Sequence, residues 1–194
     1  MKKLFLTLII GIPLVLSGCL GFGGSSTPSA EAPIEGFHIY GTEAFFMQIP
    51  NGWETATPLD LKSDMPKNTL VAIRNNARNP KFTANVVVLK NDLSEEVPTI
   101  DYARALREKM KSTLNSYKEI SVEPKSVKVQ GREVNSLFIY VEGRLHPEDD
   151  LKRYMQVAAV KGKNVYVVAA AGLANEKEDV FKKLETIVKS FEVK

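Results

Sequence analysis

The chain has 194 residues, with 26 Lys and Arg against 23 Asp and Glu and a formal net charge of +3. Its length suits one domain of ordinary globular composition, which excludes wholesale disorder and a collagen-like fibre. A single Cys excludes an intramolecular disulfide framework and zinc sites that need two thiolates, two His argue against a multi-histidine metal centre, and the near-balanced charge leaves no footprint for nucleic acid.

The chain opens on Lys2 and Lys3, followed by an apolar stretch from Leu4 to Leu16. That stretch is shorter than the about 20 helical residues a bilayer core requires, and Pro13 interrupts it. Residues 1–18 therefore read as a secretion signal. Its exit, Leu16-Ser17-Gly18-Cys19, resembles the lipobox of bacterial lipoproteins. The resemblance implies that the Cys19 thiol receives a diacylglycerol and that Cys19 becomes the first mature residue. The alternative, a plain secretory signal, leaves an odd thiol in an exported protein. Acyl chains contribute about 0.8 kcal/mol per buried methylene, and two or more anchor stably. Residues 1–18 hold two Lys and no acid, so without them the charge falls from +3 to +1. The basic balance is thus no sign of an anionic partner. Leu20 is not the Asp that marks inner-membrane retention in enteric lipoproteins. The expected location is the extracytoplasmic side of the cell membrane or outer membrane, with the membrane held through the lipid on Cys19.

Residues 19–36 are rich in Gly, Ser, Pro and Ala without a period of 2 or 3.6, and read as a flexible tether with a reach of roughly 20–25 Å. One domain is expected over 37–194. Phe37 to Tyr40 and Ala44 to Ile49 read as strands joined at Gly41, with Pro50-Asn51-Gly52 as a turn before Trp53. Leu70 to Ile73 is a strand, and Thr83 to Leu89 is one with burial expected on both faces. A helix is expected from Thr99, with Ile100, Ala103, Leu106, Met110, Leu114 and Tyr117 on one face. Ser121 to Glu123 and Val127 to Gln130 follow as two short strands, then a Gly131 turn and a strand over Val134 to Val141. Leu151 to Val160 and Val165 to Ala170 flank a hairpin turn at Lys161 to Asn164. A last helix is expected over Asn175 to Lys189, its apolar face made by Val180, Phe181, Leu184, Ile187 and Val188. Ser190 to Val193 closes the domain.

Short turns between successive strands imply an antiparallel sheet, and two amphipathic helices covering it give an α+β class. The order is similar to that of the PsbP-like superfamily, which includes the Mog and DcrB proteins. The residues that carry the resemblance are Phe45-Phe46-Met47-Gln48-Ile49-Pro50-Asn51-Gly52-Trp53, the hairpin Tyr154 to Ala170, and the ending Ile187-Val188-Lys189-Ser190-Phe191. The resemblance implies an antiparallel sheet between helices, an αβα sandwich, in a family of binding and assembly factors without a shared catalytic motif.

The candidate sites carry little catalytic chemistry. No Gly-x-Ser-x-Gly elbow is present, and Gly21-x-Gly23-Gly24 has no strand before it, so it fails as a phosphate loop. His38 alternates with Phe37 and Ile39 and reads as a rim histidine. His146-Pro147-Glu148-Asp149-Asp150 reads as a solvated acidic turn, the alternative being a weak divalent-cation loop. Arg74, Arg78 and Lys81 form a basic loop suited to a hairpin tip, or to an anionic headgroup or acidic partner. Trp53, Tyr40, Tyr154 and Tyr166 read as caps on the core or as the lining of a ligand groove. The expected function is a non-enzymatic protein-interaction or assembly module with an envelope protein as partner and no cofactor or metal. The alternative is a binding module for a small envelope ligand near Trp53 and Tyr40, with Arg74 and Arg78 beside them.

Overall fold

A computed structural model describes residues 32–57, 60 and 66–194. The signal, Cys19 and most of the expected tether lie outside the described residues.

Phe37–Gly41 (β1) and Phe45–Pro50 (β2) pair antiparallel, with His38 opposite Ile49. Gly52 takes a φ of +81° in the next turn, a conformation that costs glycine little. Glu54–Ala56 (β3), Thr69–Arg74 (β4), Asn85–Asp92 (β5) and the helix Thr99–Thr113 (α1) follow. Two long hairpins come next, Asn115–Val129 (β6) with Arg132–Arg144 (β7), and Lys152–Lys161 (β8) with Asn164–Leu173 (β9). Glu178–Lys189 (α2) and Glu192–Val193 (β10) end the chain.

The ten strands form one sheet in the order β1-β2-β10-β6-β7-β8-β9-β5-β4-β3. β2 lies near one end of that order and β3 is at the other, yet only Asn51, Gly52 and Trp53 separate them in sequence. The sheet must therefore curl until its ends approach one another, giving a half-barrel.

This corrects the expected antiparallel sandwich in several ways. β10 pairs parallel with β6, because the chain returns to the sheet from α2 rather than from a hairpin. The sheet is curled, and the helices cover parts of it. α1 ends at Thr113, so Leu114 is its cap and Tyr117 already belongs to β6. The expected pair of short strands is one 15-residue strand, β6, whose register against β7 shifts twice. α2 starts at Glu178 rather than Asn175. β5 is buried by alternation: Val86 and Val88 are fully buried and their neighbours less so. β3 was not expected, since three residues of Glu-Thr-Ala carry no period.

Alternation along the central strands divides the core. On β8, Met155, Val157 and Ala159 join the main core with Phe45, Phe138, Phe181 and Leu184. Ala158 and Val160 face the other way, toward Val97, Tyr102 and Leu106 near and on α1. The helices therefore sit on opposite faces. Gly172 brings β9 close to α2, where an added Cβ would lie 3.2 Å from the Phe181 ring.

β7 and β8 pair only from Ile139–Gln156 to Gly143–Lys152 and then separate. Buried backbone groups left by that separation require other partners. The Ser136 hydroxyl donates to the Ala158 carbonyl at 2.7 Å, and the Val160 amide donates to the Thr99 hydroxyl oxygen at 3.0 Å. Two buried hydroxyls thus replace the missing ladder.

Candidate functional site: a cleft beside β10

β10 bridges β2 and β6 with only two residues, because the preceding chain rises into α2. Glu192 and Val193 lie opposite Phe46 and Phe45, and Val193 lies opposite Val129. Beyond that bridge a cleft of about 180 Å³ opens between Ile39, Phe46 and Gln48 on one lip and Lys125, Ser126 and Lys128 on the other. It continues past Lys189 and Ser190 into a shallower depression of about 400 Å³ that reaches Ile34 and Lys182.

Ser190, just after α2, holds the cleft together. Its hydroxyl oxygen accepts the Gln48 amide at 2.9 Å and its proton goes to the Ile187 carbonyl at 3.0 Å. The Gln48 side-chain carbonyl accepts the Ile34 amide at 2.8 Å, which fixes the N-terminal end of the described chain at this cleft.

The β6 lip is an unusual sheet edge. Gln130 and Gly131 have φ of 51° and 76°, the signature of a two-residue type I′ turn between Val129 and Arg132. The pair flanking such a turn is hydrogen-bonded inward, so Lys128, Ser126 and Pro124 turn their backbone groups to the open side. The Gln130 amide, on that same side, donates to Val193 at 2.8 Å. Pro124 has no N–H to offer there, and both the proline and the register shifts oppose the addition of another strand. Recognition at this edge therefore falls to side chains.

The lips carry charge. Lys128 pairs with Glu192 at 3.3 Å, and Lys189 lies 2.5 Å from Glu185 and 3.6 Å from Glu123. The Lys189 ammonium also sits 4.4 Å from the centroid of the buried Phe138 ring. Burial alone pulls Lys189 down, but Glu185 and Glu123 together outweigh it and hold the ammonium above its ordinary value. Among the described residues, Lys125 and Lys182, one at each end of the cleft, enter no ion pair. The cleft thus combines an apolar floor with a charged rim on which Lys125, Lys128, Lys189 and Lys182 stand among Glu133, Glu192 and Glu185.

The residues singled out in the sequence fall elsewhere. Trp53 is 8% exposed and packs in the main core. Tyr40 packs against that core with its ring 6.3 Å from Phe45, and burial raises its pKa. Tyr166 is buried in the core, whereas Tyr154 is half-buried on the α1 face. Arg74 and Arg78 both grip Glu54 of β3, at 2.8 and 2.9 Å, and their guanidiniums hold that carboxyl below the usual range. Lys81 reaches Asp150 at 3.2 Å, so the basic loop and the acidic turn meet each other. Within the acidic turn the His146 amide donates to Asp149 at 3.0 Å. His38 is exposed, with Nδ1 3.1 Å from the Asn51 side-chain oxygen. Among the described residues, no three His, Cys, Asp or Glu side chains are grouped to hold a metal ion, and no helix is long and apolar enough to cross a membrane. Cys19 lies outside the described residues. Sequence reasoning missed the cleft itself, whose lips come from β1–β2, β6 and the end of α2.

Known proteins share this architecture. Solved structures similar to the chain include the cyanobacterial PsbP, CyanoP, of Synechocystis sp. PCC 6803, at 14% identity and a TM-score of 0.54, covering 92% of this chain and 99% of that one. LpqN of Mycobacterium tuberculosis, described as involved in cell envelope biogenesis, matches at 12% identity and a TM-score of 0.55, covering 81% of this chain and 90% of that one. At such identities the likeness is one of fold. No curated protein matches the sequence. The family model described as PsbP matches residues 35–193, which include the curled sheet, both helices and the cleft, and the chain belongs to the PsbP family.

Proposed function

We propose that this PsbP-family domain is a non-enzymatic interaction or assembly module, held by a lipid on Cys19 at the extracytoplasmic side of an envelope membrane. The observation that carries the reading is the cleft beside β10, with its apolar floor, its Lys125 and Lys182 rim and an edge that Pro124 closes to strand addition. Its occupant is an extended protein segment that places an apolar side chain against Phe46 and a carboxylate at the rim. The described chain begins at the same cleft, where the Ile34 amide is held by Gln48. Cys19 precedes Ile34 by 15 positions, so a lipid on Cys19 keeps the cleft within the about 50 Å that a chain of that length spans at full extension.

The titratable groups support a binding rather than a catalytic role. The shifted carboxylates and cations sit in ion pairs or hydrogen-bonded turns, as with Glu119 held down by Arg107, and the shifted tyrosines are raised chiefly by burial. LpqN's part in envelope biogenesis is consistent with an envelope setting.

A photo-crosslinking residue at position 126, in intact cells, tests the reading. The expected result is one dominant adduct with an envelope protein, lost when Cys19→Ser releases the chain from the membrane. The same adducts from position 126 and from position 104, on the far helix, would overturn it.

A further inference from the structure

Among the described residues the sheet has two ends, β1 and β3, each with one neighbour. β3 is three residues long, and its Glu54 is gripped by Arg74 and Arg78. β1 carries none of the chemical devices that guard a sheet edge. Phe37 to Gly41 holds no proline and no charged Lys, Arg, Asp or Glu, and its register with β2 runs without a bulge. His38 and Ile39 point to opposite faces and both are exposed, so neither face of the strand is covered.

The register fixes which backbone groups face outward. At one end of β1 the Asn51 amide donates to the Gly36 carbonyl, and at the other the Thr42 amide donates to the Phe45 carbonyl, both at 2.9 Å. Antiparallel pairs alternate between bonded and non-bonded, so His38 and Tyr40 bond inward to β2. Phe37, Ile39 and Gly41 therefore turn their groups to the open side. The Phe37 amide is already engaged with the Ile34 carbonyl at 2.9 Å. The Phe37 carbonyl and both backbone groups of Ile39 and Gly41 remain for a partner.

This pattern is complementary to itself. A twofold axis through Ile39 sets a second β1 antiparallel to the first, with Ile39 opposite Ile39 and Phe37 opposite Gly41. These pairs are of the bonded kind. The two Ile39 residues exchange two bonds, and each Gly41 amide donates to the Phe37 carbonyl of the other copy. On one face isoleucine meets isoleucine, and on the other His38 meets Tyr40, so no like charges stand opposite within the paired stretch. Glu35 and Glu43, the nearest carboxylates in sequence, lie outside it.

We propose that β1 is a homodimer interface that joins the sheets of two copies edge to edge. The axis is perpendicular to the sheet and Ile39 lines the cleft, so the two clefts open on the same face and their apolar floors meet at Ile39. An edge of five residues buries less than the about 1,200 Å² of a stable complex, so the dimer is weak and confinement to a membrane favours it. Residues 19–36 lead directly into β1, and the two entry points lie about 14 Å apart, so two chains anchored in one membrane reach the pair. The dimer rests on the anchoring at Cys19 but not on what occupies the cleft.

Cysteine trapping in isolated envelopes tests the register. The chain has one native cysteine, Cys19, so the unsubstituted chain sets the baseline. Bonded antiparallel partners lie about 5.5 Å apart at Cα, within disulfide range. Under mild oxidation Ile39→Cys should give a band of doubled mass that a reductant abolishes. Ile120→Cys, at a similar 42% exposure on β6, should stay at the baseline. Phe37→Cys and Gly41→Cys should each stay monomeric alone, because like positions lie about 14 Å apart, and should link to one another when made in the same cell. Equal bands from positions 39 and 120, no band from Ile39→Cys, or an Ile39→Cys adduct with a different protein alone would overturn the proposal. Phe37→Cys or Gly41→Cys linking to itself as well as to the other would also overturn it. Ile39→Cys changes an exposed side chain, so that arm stands if the Phe37 variant fails to fold. Fractionation of the same cells with and without Cys19→Ser reports the anchoring separately.

Discussion

The hydroxyl oxygen of Thr99 accepts the amide of Val160 at 3.0 Å, joining the first turn of α1 to the edge of β8 across 61 positions. Thr99 is buried, so the bond cannot be exchanged for water without opening the structure. Thr99→Val keeps the shape and removes the acceptor, leaving a buried N–H unpaired. The expected loss is about 1–3 kcal/mol in urea unfolding, with an unchanged slope. Thr99→Ser keeps the oxygen and should lose less. Equal losses in the two variants would show that the methyl group, not the hydroxyl, matters at this position.

Gly143 meets the end of α1 so closely that an added Cβ would lie 2.9 Å from the Cβ of Leu114. Gly143→Ala is therefore an overpacking substitution, with an expected cost of about 1–3 kcal/mol. Leu114→Ala also destabilises on its own by removing apolar contacts. Leu114→Ala keeps the Cβ that the new methyl meets and removes only Cδ1, 3.3 Å away, while the Asn115 carbonyl oxygen stays at 3.2 Å. The second substitution should therefore not relieve the first, and a double-mutant cycle should show a coupling below about 0.5 kcal/mol. A larger favourable coupling would mean that the Cδ1 contact, not the Cβ, sets the cost.

Burial raises the pKa of Tyr40, Tyr102, Tyr117, Tyr140 and Tyr154 above the ordinary value of 10.0. A group that holds its proton more tightly when folded contributes stability below its unfolded pKa and loses it as pH rises through the folded one. Lys189, also raised, acts in the same direction. Stability should therefore fall above pH 10, together with the appearance of tyrosinate absorbance. On the acid side Glu54 and Glu119 are held low by Arg74, Arg78 and Arg107, so their contribution is present above the ordinary carboxylate range and is lost as pH falls below it. Both carboxylates are solvent-exposed or nearly so, and the acid loss should be shallow and diminished by salt. Thermal melts across pH at two ionic strengths check both limbs.

The strands that the sequence announced were those with uninterrupted alternation and a turn residue at the end. β8 and β9 around Gly162 are examples, as is α2 with its five buried apolar residues. β6 was less legible because Pro124 and the flanking charges divide its pattern, although a proline is well placed on an open edge. Leu114 and Tyr117 keep the helical spacing of α1 yet lie beyond it, since periodicity does not show where backbone bonding stops. The site was largely hidden. Lys125, Gln48 and Ser190 come from distant parts of the chain, and only the curl of the sheet and the shortness of β10 bring them together. The basic loop was visible as charge, but its neutralising partner Glu54 belongs to a strand too short to be read.

Charge reversal at the cleft separates its side-chain chemistry from its support of the fold. Lys125 and Lys182 lie toward opposite ends of the depression, while Lys128 is paired with Glu192 of β10 and Lys189 with Glu185 on its own helix. Lys125→Glu and Lys182→Glu are surface changes and should alter stability by less than about 0.5 kcal/mol. They should nevertheless abolish the crosslink formed from a photoreactive residue at position 126, next to Lys125 on the same lip, because a carboxylate on the bound segment then meets like charge. By the same physics, the crosslink in the parent chain should weaken as salt is raised in isolated envelopes. Arg74→Glu is the matched control: it reverses the charge of a residue already engaged with Glu54, away from the cleft, and should leave the crosslink intact. A crosslink that survives reversal at both lysines would remove electrostatics from recognition and leave the apolar floor around Ile39 and Phe46 as the selective element.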